Sequence, residues 1–315
     1  MKKVFFIFTA ALFAVTLFAG TNDVRISAWN MKWFPSGYPI TEDKAPNPKQ
    51  EAKRISSAAR FIRWQQTDVA LLEEMRDLAT CEALISVPTG TNSAPLKTQG
   101  WKVNVCSDFE CPTNAPVPTH QNAIISKFDA VYTNCVTWTP KDEVIPPRGF
   151  VCAVLDINGH LTGLIGLHLK SNFIEDECTN KVFEAQLNRK KRELSAAQVV
   201  AFADELLEKE FNGRKVEDVF VCGDFNTSIF DEKYNGEKTV PTFLEKGYED
   251  AHASLPTNNF KRATMPKSKW YPPTTFDYIF HKGAGKLVNP DIAPAQYTSD
   301  HQLISVSLSR ETEKK

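Results

Sequence analysis

The chain has almost no net charge: 37 lysines and arginines stand against 38 aspartates and glutamates, leaving a formal −1. Composition therefore supplies no general basic footprint for nucleic acid, and only a local patch could serve that purpose. No C-x-x-C pair occurs among the seven cysteines, which argues against a thiolate metal site. Repeats, low-complexity tracts and linkers are missing too, so neither a solenoid nor a string of small modules fits. Past Ala19 no apolar run reaches the length of a membrane span. What is present is ordinary globular material, 315 residues at 42% hydrophobic and 24% charged, enough for a sizeable core in one domain.

Lys2 and Lys3 precede an uncharged apolar run from Val4 to Ala19. This is the pattern of a secretory leader, short for a span and followed from Arg25 by strand-like alternation. Cleavage is expected near Ala19 or Gly20, giving a leader over 1–20 and one domain over 21–315, in a secreted or periplasmic protein. No cysteine follows the run, so a lipid anchor is not expected. Export would place Cys81, Cys106, Cys111, Cys135, Cys152, Cys178 and Cys222 in an oxidising compartment, where most should pair and an odd count leaves one free. Cys222, inside an apolar strand, is the candidate for the free thiol, and Cys106 with Cys111, around "CSDFEC", for a bridge.

Strand signals recur along the chain. "DVRISAWN" alternates Val24, Ile26 and Ala28 with Arg25, Ser27 and Trp29. "PKQEAKRISSAARFIRWQQ" places Ile55, Ala59 and Ile62 on one helical face, and "DVALLEEM" reads as a buried strand ending in acid. "WKVNVC" and "NAIISKF" follow as strands. In "FVCAVLDINGHLTGLIGLHLKS" two apolar runs flank Asn158-Gly159, a strong hairpin signal. A long helix is expected over Lys181 to Phe211, with Ala197, Val200, Ala201 and Leu207 at helical spacing. "DVFVCGDFN", "FDYIF" and "LISVSL" supply the last strands. Many strands with two separate helical stretches argue for an α+β fold of packed sheets with helices outside.

Polar residues collect where these strands end: Asn30, Glu74, His168, Asp224 with Asn226, Asp277, and Asp300 with His301. Sheet ends are where loops converge on a site held by a rigid scaffold. Asp224 and Asn226 flank Phe225, so an extended backbone would aim both at one spot and Phe225 at the core. Bringing Glu74, Asp224 and Asp300 together would make three carboxylates repel one another unless a divalent cation lies between them. Two histidines and two amides beside such a cation suit an oxyanion-rich substrate.

"AWN", "LLEEM", "NAIISKF", "LHLKS", "GDFN", "FDYIF" and "SDH" occur in the order seen in the endonuclease/exonuclease/phosphatase superfamily, which the chain resembles from Val24 to Leu308. The resemblance implies a deoxyribonuclease I-like fold, a four-layer α/β sandwich, and Mg²⁺- or Mn²⁺-dependent cleavage of phosphate esters. It implies that Glu74 binds metal, with Glu73 where relatives often carry glutamine, and that Asp300 and Asn30 lie on the metal side. His168 corresponds to the histidine that polarises the phosphate, and Asp224 with Asn226 to the pair that positions water and holds the phosphate. His301 corresponds to the histidine beside the scissile phosphate, oriented by Asp277, and the general base is assigned jointly to His301 and Asp224. Arg148, in "PPRGF", matches an arginine frequent in relatives. No carboxylate partner for His168 can be placed.

"HLKSN", with Lys170, resembles exported bacterial nucleases, and the inositol-phosphatase Trp-Cys-Asp-Arg element is absent. A loop carrying Lys261, Arg262, Lys267 and Lys269 with Trp270 and Tyr271 suits a phosphate backbone and stacked bases. A nuclease acting on DNA or RNA, monomeric and without a stable protein partner, is the expectation. A sphingomyelinase-type phospholipid phosphodiesterase is the alternative, with Trp270, Tyr271 and Trp138 as membrane-contact candidates. A non-catalytic binding domain fits poorly with every expected acid and both histidines in place.

Overall fold

The computed structural model describes residues 23–90, 93–110, 120–256, 262–266, 272–294 and 298–310. The leader, Cys111, Lys261, Lys267, Lys269, Trp270 and Tyr271 lie outside the described residues. The first half of the chain gives strands β1 (Val24–Phe34), β2 (Val69–Met75), β3 (Lys102–Cys106), β4 (Gln121–Ser126), β5 (Ala130–Thr137) and β6 (Gly149–Ile157). The second gives β7 (His160–His168), β8 (Glu210–Phe211), β9 (Arg214–Asp224), β10 (Glu249–Asp250), β11 (Asp277–Gly283), β12 (Lys286–Ala293) and β13 (Leu303–Ser309). Four helices intervene, α1 (Pro48–Trp64), α2 (Leu78–Ser86), α3 (Lys181–Leu207) and α4 (Thr239–Glu245).

One sheet runs β12-β13-β1-β2-β4-β3 and the other β10-β11-β9-β7-β6-β5, with β8 paired to β9. Within each, one central pair is parallel, β1 with β2 and β7 with β9. Strand alternation sorts side chains into layers. Ile26, Ala28, Val69, Leu71 and Ile124 face Val151, Ala153, Leu164, Phe220, Cys222 and Ile279 between the sheets. On the outer side of the first sheet, Trp29, Met31, Ala70 and Leu72 meet Ala58, Ala59 and Ile62 of α1 and Leu84 of α2. Ile165, Val219, Val221 and Phe225 meet Ala196, Val199 and Ala203 of α3 and Phe243 of α4 on the other. Helix, sheet, sheet and helix thus form four layers.

Helix α3 stops at Leu207, short of the expected Phe211. The chain instead makes a tight hairpin through Asn212 and Gly213, both at positive φ, and pairs Glu210–Phe211 with β9. An Asn-Gly signal there is as explicit as the one at Asn158-Gly159. The buried stripe of α3 is Ala196, Val199, Val200, Ala203 and Leu206, whereas Ala197 and Ala201 face outward. Helices α2 and α4 are nine and seven residues long, too short for periodicity to declare them. Edge strand β12 contains Pro290 beside a register shift, a tolerable place for proline only at an edge.

All six cysteines among the described residues are unpaired, so the pairing expected of most of them is not seen there and Cys222, buried in β9, is not set apart; the Cys106 sulfur lies 3.8 Å from that of Cys81. Trp138 is buried against Phe150, so it offers nothing to a membrane. Arg262 is buried as well, paired with Asp250 and donating to the His252 carbonyl, which removes it from any basic surface. No helix among the described residues is long and apolar enough to cross a membrane.

Candidate active site

The rows of side chains that fill the inter-sheet layer continue past its apolar part into polar residues. Val24, Ile26 and Ala28 lead to Asn30, Val69 and Leu71 lead to Glu73, Phe220 and Cys222 lead to Asp224, and Ile279 stands two residues beyond Asp277. Sheet register then sets them side by side: His168 is opposite Asp224, and Asp224 is opposite Asp277. Gly223 makes this closeness possible, because at φ +138 it lies against the Leu167 carbonyl, where a Cβ would come within 1.9 Å. Beside it both β1 and β2 are irregular, with Lys32, Trp33 and Glu74 at positive φ and register shifts on either strand. Bulges of this kind re-aim side chains next to functional sites. Here they bring Glu74 to the cleft while Glu73 stays behind it.

At the centre, one Asn30 amide nitrogen donates to Glu74 Oε1 at 3.0 Å and to Asp224 Oδ2 at 3.1 Å. The backbone N–H of Trp33 donates to the other Glu74 oxygen at 2.8 Å. Asp224 Oδ2 is also 3.6 Å from His168 Nε2 and 3.8 Å from His301 Nε2. His301 Nδ1 lies 2.8 Å from Asp277 Oδ2, itself the acceptor of the Thr264 hydroxyl. Arg148 donates to the carbonyls of His168 and Leu169, at 3.0 and 3.2 Å. Trp33, Glu74, Arg148, His168, Asp224 and His301 line a cleft of about 480 Å³ that also includes Lys32, Lys170, Phe173 and Asp300.

No protein-family model matches the chain, nor does any curated protein. Solved structures do, over nearly its whole length. TDP2 from C. elegans superposes with a TM-score of 0.58 at 17% identity, over 91% of this chain and 75% of that one. An endonuclease/exonuclease/phosphatase family protein from Leptotrichia buccalis C-1013-b gives 0.56 at 17%, over 91% and 100%. Mannosyl-6-phosphatase from Bacteroides thetaiotaomicron VPI-5482 gives 0.59 at 16%, over 91% and 100%. The fold is that of the endonuclease/exonuclease/phosphatase proteins.

Several residues take places in this endonuclease/exonuclease/phosphatase fold that the sequence did not foretell. Asn30 turns its nitrogen to the two carboxylates, so in this arrangement it positions them rather than offering a ligand oxygen. Asp300 lines the cleft but pairs with Lys32 at 2.8 Å. Of the three acids expected together, Glu74 and Asp224 meet, and Asp277 rather than Asp300 is the third at Asp224. Asn226 leaves the extended path at φ +52; its backbone N–H donates to Asp224 Oδ1 and its side chain to the Leu169 carbonyl. Phe225 does go to the core. The Lys170 ammonium donates to the Ser171 and Phe173 carbonyls. Arg192 of α3 is buried in a bidentate pair with Glu237 and holds the Lys170 carbonyl.

His120 was missed altogether. It precedes "QNAIISKF" in a stretch whose only other signal is proline and threonine, and nothing in that pattern marks it. Its ring packs edge-on against Trp33 with centroids 4.2 Å apart and lies 5.9 Å from that of His168, with Nδ1 3.9 Å from Glu74 Oε2.

Burial sorts the titrating groups. It lowers His168 well below its ordinary value, helped by Arg148 and His120, and takes His120 to about 4 against the pull of Glu74. Both imidazoles are neutral at neutral pH. Burial would lower His301 too, but Asp277 and Asp224 outweigh it and hold His301 well above the usual range. Asp224 is pushed up to about 7 by burial, with His301 opposing and Asp277 adding. Glu73, fully buried without a hydrogen-bond partner, is raised far by burial and then by Asp277 and Asp224. Burial and the neighbouring carboxylates disfavour its charged form, with the His301 imidazolium opposing them.

The donor set fits a divalent cation. Ligand atoms of Glu74, His120 and His168 lie within 4.8 Å of one another, and so do those of Asp224, Asp277 and His301. Nδ1 of His120 and of His168 is buried without a hydrogen-bond partner among the described residues, which leaves both nitrogens open to a ligand or a water.

Proposed function

We propose that this chain is an exported, divalent-metal-dependent phosphoesterase, specifically a nuclease that hydrolyses DNA or RNA phosphodiester bonds. The observation that carries the reading is Asp224, which stands between the Nε2 atoms of two histidines of opposite charge state while sharing Asn30 with Glu74. A proton acceptor with a value near 7 beside a charged imidazole is the acid–base pairing that ester hydrolysis at neutral pH requires.

Asp277 fixes Nδ1–H of His301 and turns Nε2 toward Asp224 and the cleft. The imidazolium donates to an oxygen of the phosphate and can return its proton to the departing oxygen. Asp224 accepts the proton of the attacking water. Glu74, held at both oxygens by Asn30 and Trp33, would hold Mg²⁺ or Mn²⁺, which when bound supplies charge neutralisation for the phosphoryl oxygens. Lys170 and Arg148 add positive charge along one wall. Phe173, exposed at the rim beside Lys170, offers a face for a stacked base. The basic leader pattern at the N-terminus supports export.

Supercoiled plasmid, single-stranded DNA, RNA, bis(p-nitrophenyl) phosphate and p-nitrophenyl phosphate, each with Mg²⁺, Mn²⁺ or chelator, test this directly. Metal-dependent nicking lost in Asp224→Ala is expected. Hydrolysis confined to the monoester would replace the nuclease with a phosphatase, and no hydrolysis of any ester would overturn the enzymatic reading.

A further inference from the structure

Three side chains at one end of the cleft form a donor set that none of the roles above uses together. Glu74 is fixed at both oxygens, by the Asn30 amide at 3.0 Å and the Trp33 backbone N–H at 2.8 Å. The Trp33 ring in turn packs edge-on against His120. One residue thus positions a carboxylate through its backbone and an imidazole through its side chain. His168 completes the group, its ring 5.9 Å from that of His120 and its ligand atom within 4.8 Å of the other two.

Two of the ring nitrogens, Nδ1 of His120 and Nδ1 of His168, are buried and make no hydrogen bond among the described residues. Leaving two such atoms unsatisfied costs free energy that a ligand would recover. Ligands at about 2.1 Å from a Zn²⁺-like ion stand roughly 3–4 Å apart. The three ligand atoms lie within 4.8 Å of one another, so binding would draw them together by up to about 1–2 Å.

We propose that Glu74, His120 and His168 form a cation site of two imidazoles and one carboxylate, which prefers a nitrogen-accepting transition-metal ion such as Zn²⁺ or Co²⁺ over Mg²⁺. Mg²⁺ takes oxygen ligands and keeps its waters, whereas imidazole suits the later first-row ions. Three protein ligands leave a position open for a phosphate oxygen or water, as in catalytic rather than structural sites. The inference rests on the metal-dependent reading only in sharing Glu74, and it gives His168 a ligand's part where the family resemblance implies contact with phosphate.

The test is binding, measured apart from turnover. Chelator-stripped full-length protein is titrated with Co²⁺ by visible absorption and calorimetry, then with Mg²⁺, for the wild type, His120→Ala and His120→Gln. The site predicts that either substitution weakens Co²⁺ binding by about tenfold or more and leaves Mg²⁺ binding nearly unchanged. Unaltered Co²⁺ affinity in a variant with the wild-type circular dichroism spectrum overturns it. X-ray absorption of the Co²⁺-loaded wild type decides the matter if neither variant folds: imidazole scattering from two histidines supports the site, and an all-oxygen shell removes it. Mg²⁺-dependent hydrolysis with an all-oxygen shell would leave the phosphoesterase reading and discard this one. Histidine-ligated Co²⁺ in a protein that cleaves no ester would do the reverse.

Discussion

Lys170 shows how burial adjusts a single group to its task. Burial, followed by Lys191 and Arg148, takes its ammonium down to about 8. Below that pH it is charged and favours an anionic substrate, and above it the charge is lost. KM for a phosphodiester should therefore climb as pH rises through about 8, and Lys170→Met should have a high KM that no longer changes across that range. A KM profile that is the same in both proteins would exclude Lys170 from substrate binding. Asp224 makes a sharper claim: Asp224→Asn keeps the shape and removes the acceptor, so kcat should fall about 10²–10⁴-fold with the thermal unfolding curve little moved.

Much at this scale was legible. His168, Asp224, Asp277 and His301 are polar residues at or beside the ends of apolar strands, and a strand shows its ends in sequence. Asn30, Asp300 and Glu73 were harder, because their parts depend on what crosses from another strand. Nothing local says that Lys32 will claim Asp300, or that a bulge will send Glu73 inward and Glu74 out. His120 depends wholly on tertiary placement.

Elements are held to the site by close approaches and buried charge. At Gly223 a Cβ would strike the Leu167 carbonyl on the parallel neighbour, and backbone cannot move aside inside a central pair. Gly223→Ala should destabilise by about 3 kcal/mol or more, or prevent folding, as measured by urea denaturation; a change under about 1 kcal/mol would show that β7 and β9 can separate there. Arg192 and Glu237 are both nearly inaccessible, and the pair ties α3 to the segment ahead of α4 while Arg192 holds the Lys170 carbonyl. Removing one partner strands a buried charge, so Glu237→Ala should cost about 3–5 kcal/mol. The longer strands, α1 and the bulk of α3 could be read from periodicity and from Asn158-Gly159. The short helices and β8 could not, since seven to nine residues carry too few turns to separate a helix from a loop, and Asn212-Gly213 lay hidden under an apparently continuous helical pattern.

On the scale of the whole molecule, acids from both sheets face one another across the upper edge of the shared core. Asp277, Asp224 and Glu74 each disfavour a charge on Glu73, and Asp277 disfavours one on Asp224, a standing cost of keeping these acids together in the free protein. A bound divalent cation should relieve it and raise Tm, stabilising the fold by RT ln(1 + c/Kd) at free-ion concentration c, about 2.7 kcal/mol when the ion is at a hundred times its Kd. Chelation should reverse the shift and abolish hydrolysis together. A Tm indifferent to every divalent ion would place cation binding outside this cluster. The four-layer plan itself was legible, because the strands and the separate helical stretches leave few ways to bury both faces of two sheets.

The parallel pairing of β1 with β2, flanked by β13, has a meaning for the chain as it is made. Asn30 emerges early in synthesis, but β13 gives β1 its other neighbour, and the segment just ahead of β13 carries His301. A ribosome that stalls before residue 301 has produced an incomplete sheet and a cleft without its charged imidazole. On the proposed function, such partial products would lack the imidazolium that protonates the departing oxygen, and chemical competence would arrive only with completion of the fold.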